Sequence, residues 1–145
     1  MKSVVELDIA APRAQVAELF ADPANNPKWM DDIDRCEPLT GTLGSPGSTY
    51  RMVPKSGNMT FVATVSSKDL PDEVRLRLDE ATVVVSIVDR FFVTSPTETR
   101  LVSEEEFKFK GILNSVVGFL AQSAIRKAHR RHMIAFKKFA EQKLR

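Results

Sequence analysis

Glu105 lies in the run Thr99–Phe109, where Leu101, Ser103, Glu105, Phe107 and Phe109 fall on alternate positions. Alternate side chains of a strand share a face. A face that buries Phe107 and Phe109 therefore carries the Glu105 carboxyl inward, while Glu104 and Glu106 point out. An unpaired carboxylate in an apolar interior is costly, so such a group finds a partner or keeps its proton. His132 is the candidate partner, because it lies at the centre of the apolar side of the helix-like stretch that runs from Gly111 to the end of the chain. A Glu105–His132 pair facing a cavity would polarise or deprotonate a bound molecule. The plainer reading keeps His132 as a core residue with one hydrogen bond. It leaves Glu105 in water at a cavity mouth or turned outward by a bulge.

Other chemistry has little support. His129 and His132 are three apart without the glutamate of a zinc helix, and no metal site or cofactor is expected. No nucleophile elbow or phosphate loop is present, and Gly44-Ser45-Pro46-Gly47 reads as a turn. Cys36 has no neighbouring base and is expected to be an inert thiol. Trp29, the only tryptophan, reads first as an apolar plug between short helices and a sheet, and second as a lid residue touching ligand.

The elements that position these groups follow from period and punctuation. Ser3–Ala10 alternates as a strand with Val5, Leu7 and Ile9 on one face. Pro12 opens a short helix that Asp22-Pro23 ends, and Lys28–Ile33 makes another short turn carrying Trp29. Strands are expected at Arg35–Leu39, Thr49–Val53, Met59–Ser66, Glu73–Glu80, Ala81–Thr94 and Thr99–Phe109, with a turn at Lys55-Ser56-Gly57-Asn58 among those between them. The stretch from Gly111 has no proline. At about 100° per residue it places Val117, Ala121, Ala124, Ile125, Ala128, Ala135, Phe136 and Phe139 around His132. Alanines on a buried face leave space, which points to a cavity. Strands followed by a helix, without βαβ alternation, indicate α+β. About seven antiparallel strands would be covered by the long C-terminal helix, with two short helices after the first strand.

Size and charge bound the function. At 145 residues and 43% hydrophobic, the chain is expected to form one domain, 1–145, with a sizeable core. Residues 1–40 hold four basic against eight acidic side chains, and Ile125 onward holds eight basic against one acidic. The basic helix face reads as solvated surface, with an acidic partner or peripheral contact with an anionic membrane as the sharper alternative. Nucleic acid is not expected, since no aromatics interleave the basic residues. No apolar run reaches the ~18 residues of a membrane span. One cysteine and no signal-peptide pattern predict the cytoplasm. Composition leaves the oligomeric state open.

Taken in order, VVELDIAAP, QVAELFADP, PKWMDDI, LGSPGSTYRM, TETRLVSEEEF and the closing amphipathic helix resemble the SRPBCC superfamily. These are the helix-grip proteins that include START lipid-transfer domains and polyketide cyclase/dehydrase-like proteins. The resemblance implies a curved antiparallel sheet gripping the C-terminal helix around a hydrophobic cavity. It also implies binding of a small hydrophobic or amphipathic ligand, lipid- or polyketide-like. Trp29, Met52, Phe61, Phe107, Ala121, Ala124, Ala128 and His132 are the expected ligand contacts. A cyclase/dehydrase-type enzyme using Glu105 and His132, and a non-catalytic interaction module using the basic helix face, stand as alternatives.

Overall fold

The computed structural model describes residues 1–57 and 59–144; Asn58, the last residue of the expected Lys55–Asn58 turn, and Arg145 lie outside them. Strand β1 (Lys2–Ile9) is followed by α1 (Arg13–Ala21), a 3₁₀ turn at Pro23–Asn25 and α2 (Asn26–Trp29). Strands β2 (Ile33–Thr40), β3 (Thr49–Pro54), β4 (Phe61–Asp69), β5 (Glu73–Asp79), β6 (Val83–Ser95) and β7 (Glu98–Phe109) come next, then helices α3 (Gly111–Leu120) and α4 (Gln122–Lys143). The strands form one antiparallel sheet in the order β1-β7-β6-β5-β4-β3-β2. This is the expected α+β helix-grip arrangement.

Each short element follows its local chemistry. Pro12 precedes α1 with extended backbone, where its missing N–H leaves no helix bond unmade. The Asp22 side chain accepts from the Ala24 N–H at 3.0 Å and caps the turn that follows. Lys137 Nζ donates to the Asp8 carbonyl at 2.6 Å and to Glu141 at 2.6 Å, while Glu141 accepts the Ala10 N–H at 2.8 Å. These bonds fasten the C-terminal end of α4 to β1.

The apolar side of the sheet is closed at one end by an aromatic cluster. Phe20, Trp29, Phe91 and Phe136 meet with ring centroids 4.8–5.7 Å apart, in the offset and edge-on geometries that aromatic quadrupoles favour. Trp29 packs against Phe20 of α1 and Phe136 of α4.

The C-terminal region departs from expectation in two ways. It is two helices, because the chain leaves helical geometry at Ala121 (φ −91°, ψ 2°). The buried stripe of α4 is His129, Met133, Phe136 and Ala140, rotated by about 90° from the stripe centred on His132. The expected stripe was phased partly by Val117, Ala121 and Ala124. Val117 and Ala124 are exposed, and Ala121 lies at the break.

Candidate functional site

Between the sheet and α4 lies a cavity of about 420 Å³. Its walls are mostly apolar: Met52, Phe61, Leu76, Leu78, Val85, Ile87 and Phe107 come from the sheet, Trp29, Ile125, Ala128 and Met133 come from the helices, and Met30 follows α2. Of the residues expected to touch ligand, Trp29, Met52, Phe61, Phe107, Ala128 and His132 line the cavity, as does Glu105. Ala121 and Ala124 do not. They sit at the helix break and on the exposed side of the first turn of α4.

A polar cluster lies in and behind the wall, and its residues come from three adjacent strands and α4. Strand pairing places Asp89 opposite Ser103, Glu105 opposite Ile87, and Ser3 opposite Glu105. Because β6 and β7 alternate, Asp89 shares the inward face of Val85, Ile87 and Phe91. Ser103 and Glu105 share the inward face of Leu101 and Phe107, as the sequence indicates. α4 lowers His129 onto them. Its Nδ1 lies 2.8 Å from Ser3 Oγ, and its Nε2 lies 2.8 Å from Ser103 Oγ and 3.7 Å from Glu105 Oε2.

The imidazole facing Glu105 is therefore His129, not His132. His132 is one turn further along, at the cavity rim, with Nε2 3.1 Å from Asp32 Oδ1. The Glu105–His132 pairing rested on the helix phase, and the roughly 90° rotation of the stripe exchanges the two histidines.

Asp89 faces Ser103 across the β6–β7 pair, and the Ser3 and Ser103 hydroxyls each hold one nitrogen of the His129 ring. A neutral imidazole has one N–H donor and one acceptor nitrogen, so one serine donates to the ring and the other accepts from it.

Burial decides the charge states. His129 is buried and its pKa is pushed down to about 4, by desolvation and then by nearby His132, so the ring is neutral at pH 7. Desolvation pushes Asp89 up to about 7, against the hydrogen bond from Ser103. Desolvation, and then the charge of Asp89, push Glu105 up to about 8. Two carboxyls therefore sit beside a neutral imidazole with no lysine or arginine in the cavity wall, and at neutral pH the cluster retains a proton.

Two buried polar atoms have no partner among the described residues: Asp89 Oδ1 and Trp29 Nε1. Both residues line the cavity, but the two atoms themselves are buried away from it.

Asp89 was missed in the sequence, although it has the parity of Val83, Val85, Ile87 and Phe91. Cys36 is as expected. Burial raises its thiol to about 11, so it is protonated and unreactive at neutral pH. Among the described residues no cluster of His, Cys, Asp and Glu could hold a metal ion, and no helix is long and apolar enough to cross a membrane.

Residues 1–141 match the family described as polyketide cyclase / dehydrase and lipid transport. The chain belongs to that family. The chain shares the fold of several solved structures. An aromatase/cyclase from Streptomyces sp. R1128 superposes with a TM-score of 0.85 at 17% identity, covering 100% of this chain and 96% of that one. A START superfamily protein from Mycobacterium smegmatis gives 0.77 at 17% identity, with 97% of each chain covered. Norcoclaurine synthase from Thalictrum flavum, solved with dopamine and hydroxybenzaldehyde, gives 0.70 at 16% identity, covering 98% of this chain and 88% of that one. No curated protein matches the sequence.

Proposed function

We propose that the whole chain acts as one ligand-binding domain that holds a small hydrophobic or amphipathic molecule, lipid- or polyketide-like, between sheet and α4. The observation that carries this reading is the cavity itself, with its mostly apolar wall and the polar cluster around His129. Its 420 Å³ lies within the roughly 300–1,000 Å³ typical of small-molecule sites. Burial of the ligand's apolar surface drives binding at about 25 cal/mol per Å². Glu105 and His132, lining residues whose side chains keep 18% and 17% exposure, supply the polar contacts that orient the ligand. His132 and Asp32 form part of the rim through which it enters.

Titration with N-phenyl-1-naphthylamine tests this reading. The neutral probe is expected to bind saturably at one site with enhanced fluorescence and to quench Trp29. Ala128→Trp, which fills the cavity, weakens it at least ten-fold in protein that remains folded by circular dichroism. An absence of saturable binding, or an Ala128→Trp variant that binds like the parent, sinks the proposal.

The polar cluster supports a second reading, a cyclase or dehydrase. A protonated carboxyl next to an ionised one supplies a proton donor and a proton acceptor in one water-poor site. In such a step Glu105 gives its proton to the oxygen of a bound carbonyl or leaving hydroxyl, and Asp89 takes a proton from the neighbouring carbon. Glu105→Gln with full probe binding and lost turnover of a β-hydroxy carbonyl substrate favours the enzyme; no turnover by the parent favours the carrier.

A further inference from the structure

Helix α3 is built inside out. At about 100° per residue, Ile112, Leu113, Val116, Val117, Phe119 and Leu120 share an arc of about 160°. Gly111, Asn114, Ser115 and Gly118 occupy the opposite side. A helix on a globular protein normally turns its large apolar residues toward the core. Here Gly118 is the buried residue, with the Phe109 ring against it. The large side chains face solvent: Ile112 is 87% exposed, Leu113 77%, Phe119 70% and Leu120 77%. A contiguous exposed patch of this kind marks an interaction surface.

Charge indicates what covers it. From Phe107 to Ala140 the sequence holds eight lysines and arginines and no aspartate or glutamate. No charged residue interrupts 111–125, and the cations cluster on both sides: Lys108 and Lys110 before the helix, then Arg126, Lys127, Arg130 and Arg131 after it. The side chains of Lys108, Arg126, Lys127, Arg130 and Arg131 are exposed, and among the described residues none has a carboxylate partner. An apolar helix face flanked by unpaired cations complements an anionic bilayer. Acyl chains take the apolar face and headgroups take the cations. A second copy of the chain would cover the apolar face but would bring the same positive charge against it.

We propose that α3 is a membrane-docking helix, which inserts Ile112, Leu113, Val116, Phe119 and Leu120 into the surface of an anionic bilayer while the flanking lysines and arginines hold phosphate headgroups. α3 leads directly into the first turns of α4, where Ile125 and Ala128 line the cavity. Docking thus brings that wall of the cavity next to the lipid. The proposal stands whether or not the cavity binds ligand, since it concerns only the outer surface.

Flotation of the full chain with vesicles of phosphatidylcholine and phosphatidylglycerol at 7:3 tests it, with pure phosphatidylcholine as the comparison. The protein is expected to float with the anionic vesicles and weakly, if at all, with the neutral ones. Each basic residue near the surface contributes roughly five-fold, so Arg126→Glu/Lys127→Glu weakens partitioning more than ten-fold, as does raising the salt to 0.5 M. Leu113→Asp/Phe119→Asp, both at exposed positions, is expected to remain folded and to lose flotation. If the chain does not float with anionic vesicles, or if that apolar double variant floats like the parent, the proposal fails. It also fails if light scattering shows a dimer that the same double variant converts to monomer while neither form binds vesicles.

Discussion

The sharpest consequence of the cavity chemistry is that Asp89 costs the fold stability as pH rises. The carboxyl is 1% exposed, and its pKa is about 7 when folded against an ordinary 3.8. Between those values the folded chain holds a proton that the unfolded chain has released. Stability therefore falls with increasing pH across that window and levels off above it. One pKa unit corresponds to about 1.4 kcal/mol, so the full penalty is about 4 kcal/mol by pH 8 and about 2 kcal/mol at pH 5. Asp89→Asn keeps the shape and removes the ionisation. Its stability relative to the parent should grow by about 2 to 3 kcal/mol between pH 5 and pH 8. The charge of Asp89 also raises Glu105, so its removal eases Glu105 ionisation and acts in the same direction.

The assay is urea unfolding of parent and variant at half-unit steps from pH 5 to pH 8. With a slope of roughly 2 kcal/mol per molar urea, the midpoint difference should widen by about 1 M across the range. Comparing the two proteins cancels groups that titrate alike in both. His129 is one such group: its lowered pKa makes stability rise with pH up to about 6.5. A midpoint difference that stays flat within about 0.3 M, or narrows toward pH 8, would refute the claim that Asp89 is protonated by burial.

His129→Ala should cost about 2–4 kcal/mol at pH 7, because it leaves a hole and strips Ser3 and Ser103 of their partner. In the parent, the stability that neutral His129 contributes is present above pH 6.5 and is lost as pH falls toward 4. The gap to the alanine variant should therefore close by up to about 3 kcal/mol in acid, and a cost independent of pH in denaturation curves would contradict this. For Gly118→Ala, a Cβ would lie 2.3 Å from Phe109 Cε2. Alanine favours helix by about 1 kcal/mol, but the overlap costs about 1–3 kcal/mol, so amide exchange across 111–120 should accelerate; slower exchange would mean that the ring yields freely.

Strand geometry made part of this site readable from the sequence, and helix geometry hid the rest. The period of a strand is two, so the inward position of Phe107 fixes that of Glu105 without further information. The same rule applied to β6 would have placed Asp89 inward with Ile87 and Phe91. Apolar residues on both parities of Ala81–Thr94 obscured it, since neither face stood out as the buried one. A helix needs a phase as well as a period. Residues before Ala121 belong to a separate helix, so using Val117 and Ala121 to set the phase turned His132 inward in place of His129. The exposed face of α3 was hidden for a related reason. Periodicity reports that the large apolar residues share a side, but the side that touches the protein depends on what packs there. Gly118 is where α3 touches the rest of the chain, because the Phe109 ring leaves no room for a Cβ. Close packing through a glycine therefore turns the apolar arc outward, and the same contact that hides this surface from the sequence leaves it free to meet a bilayer.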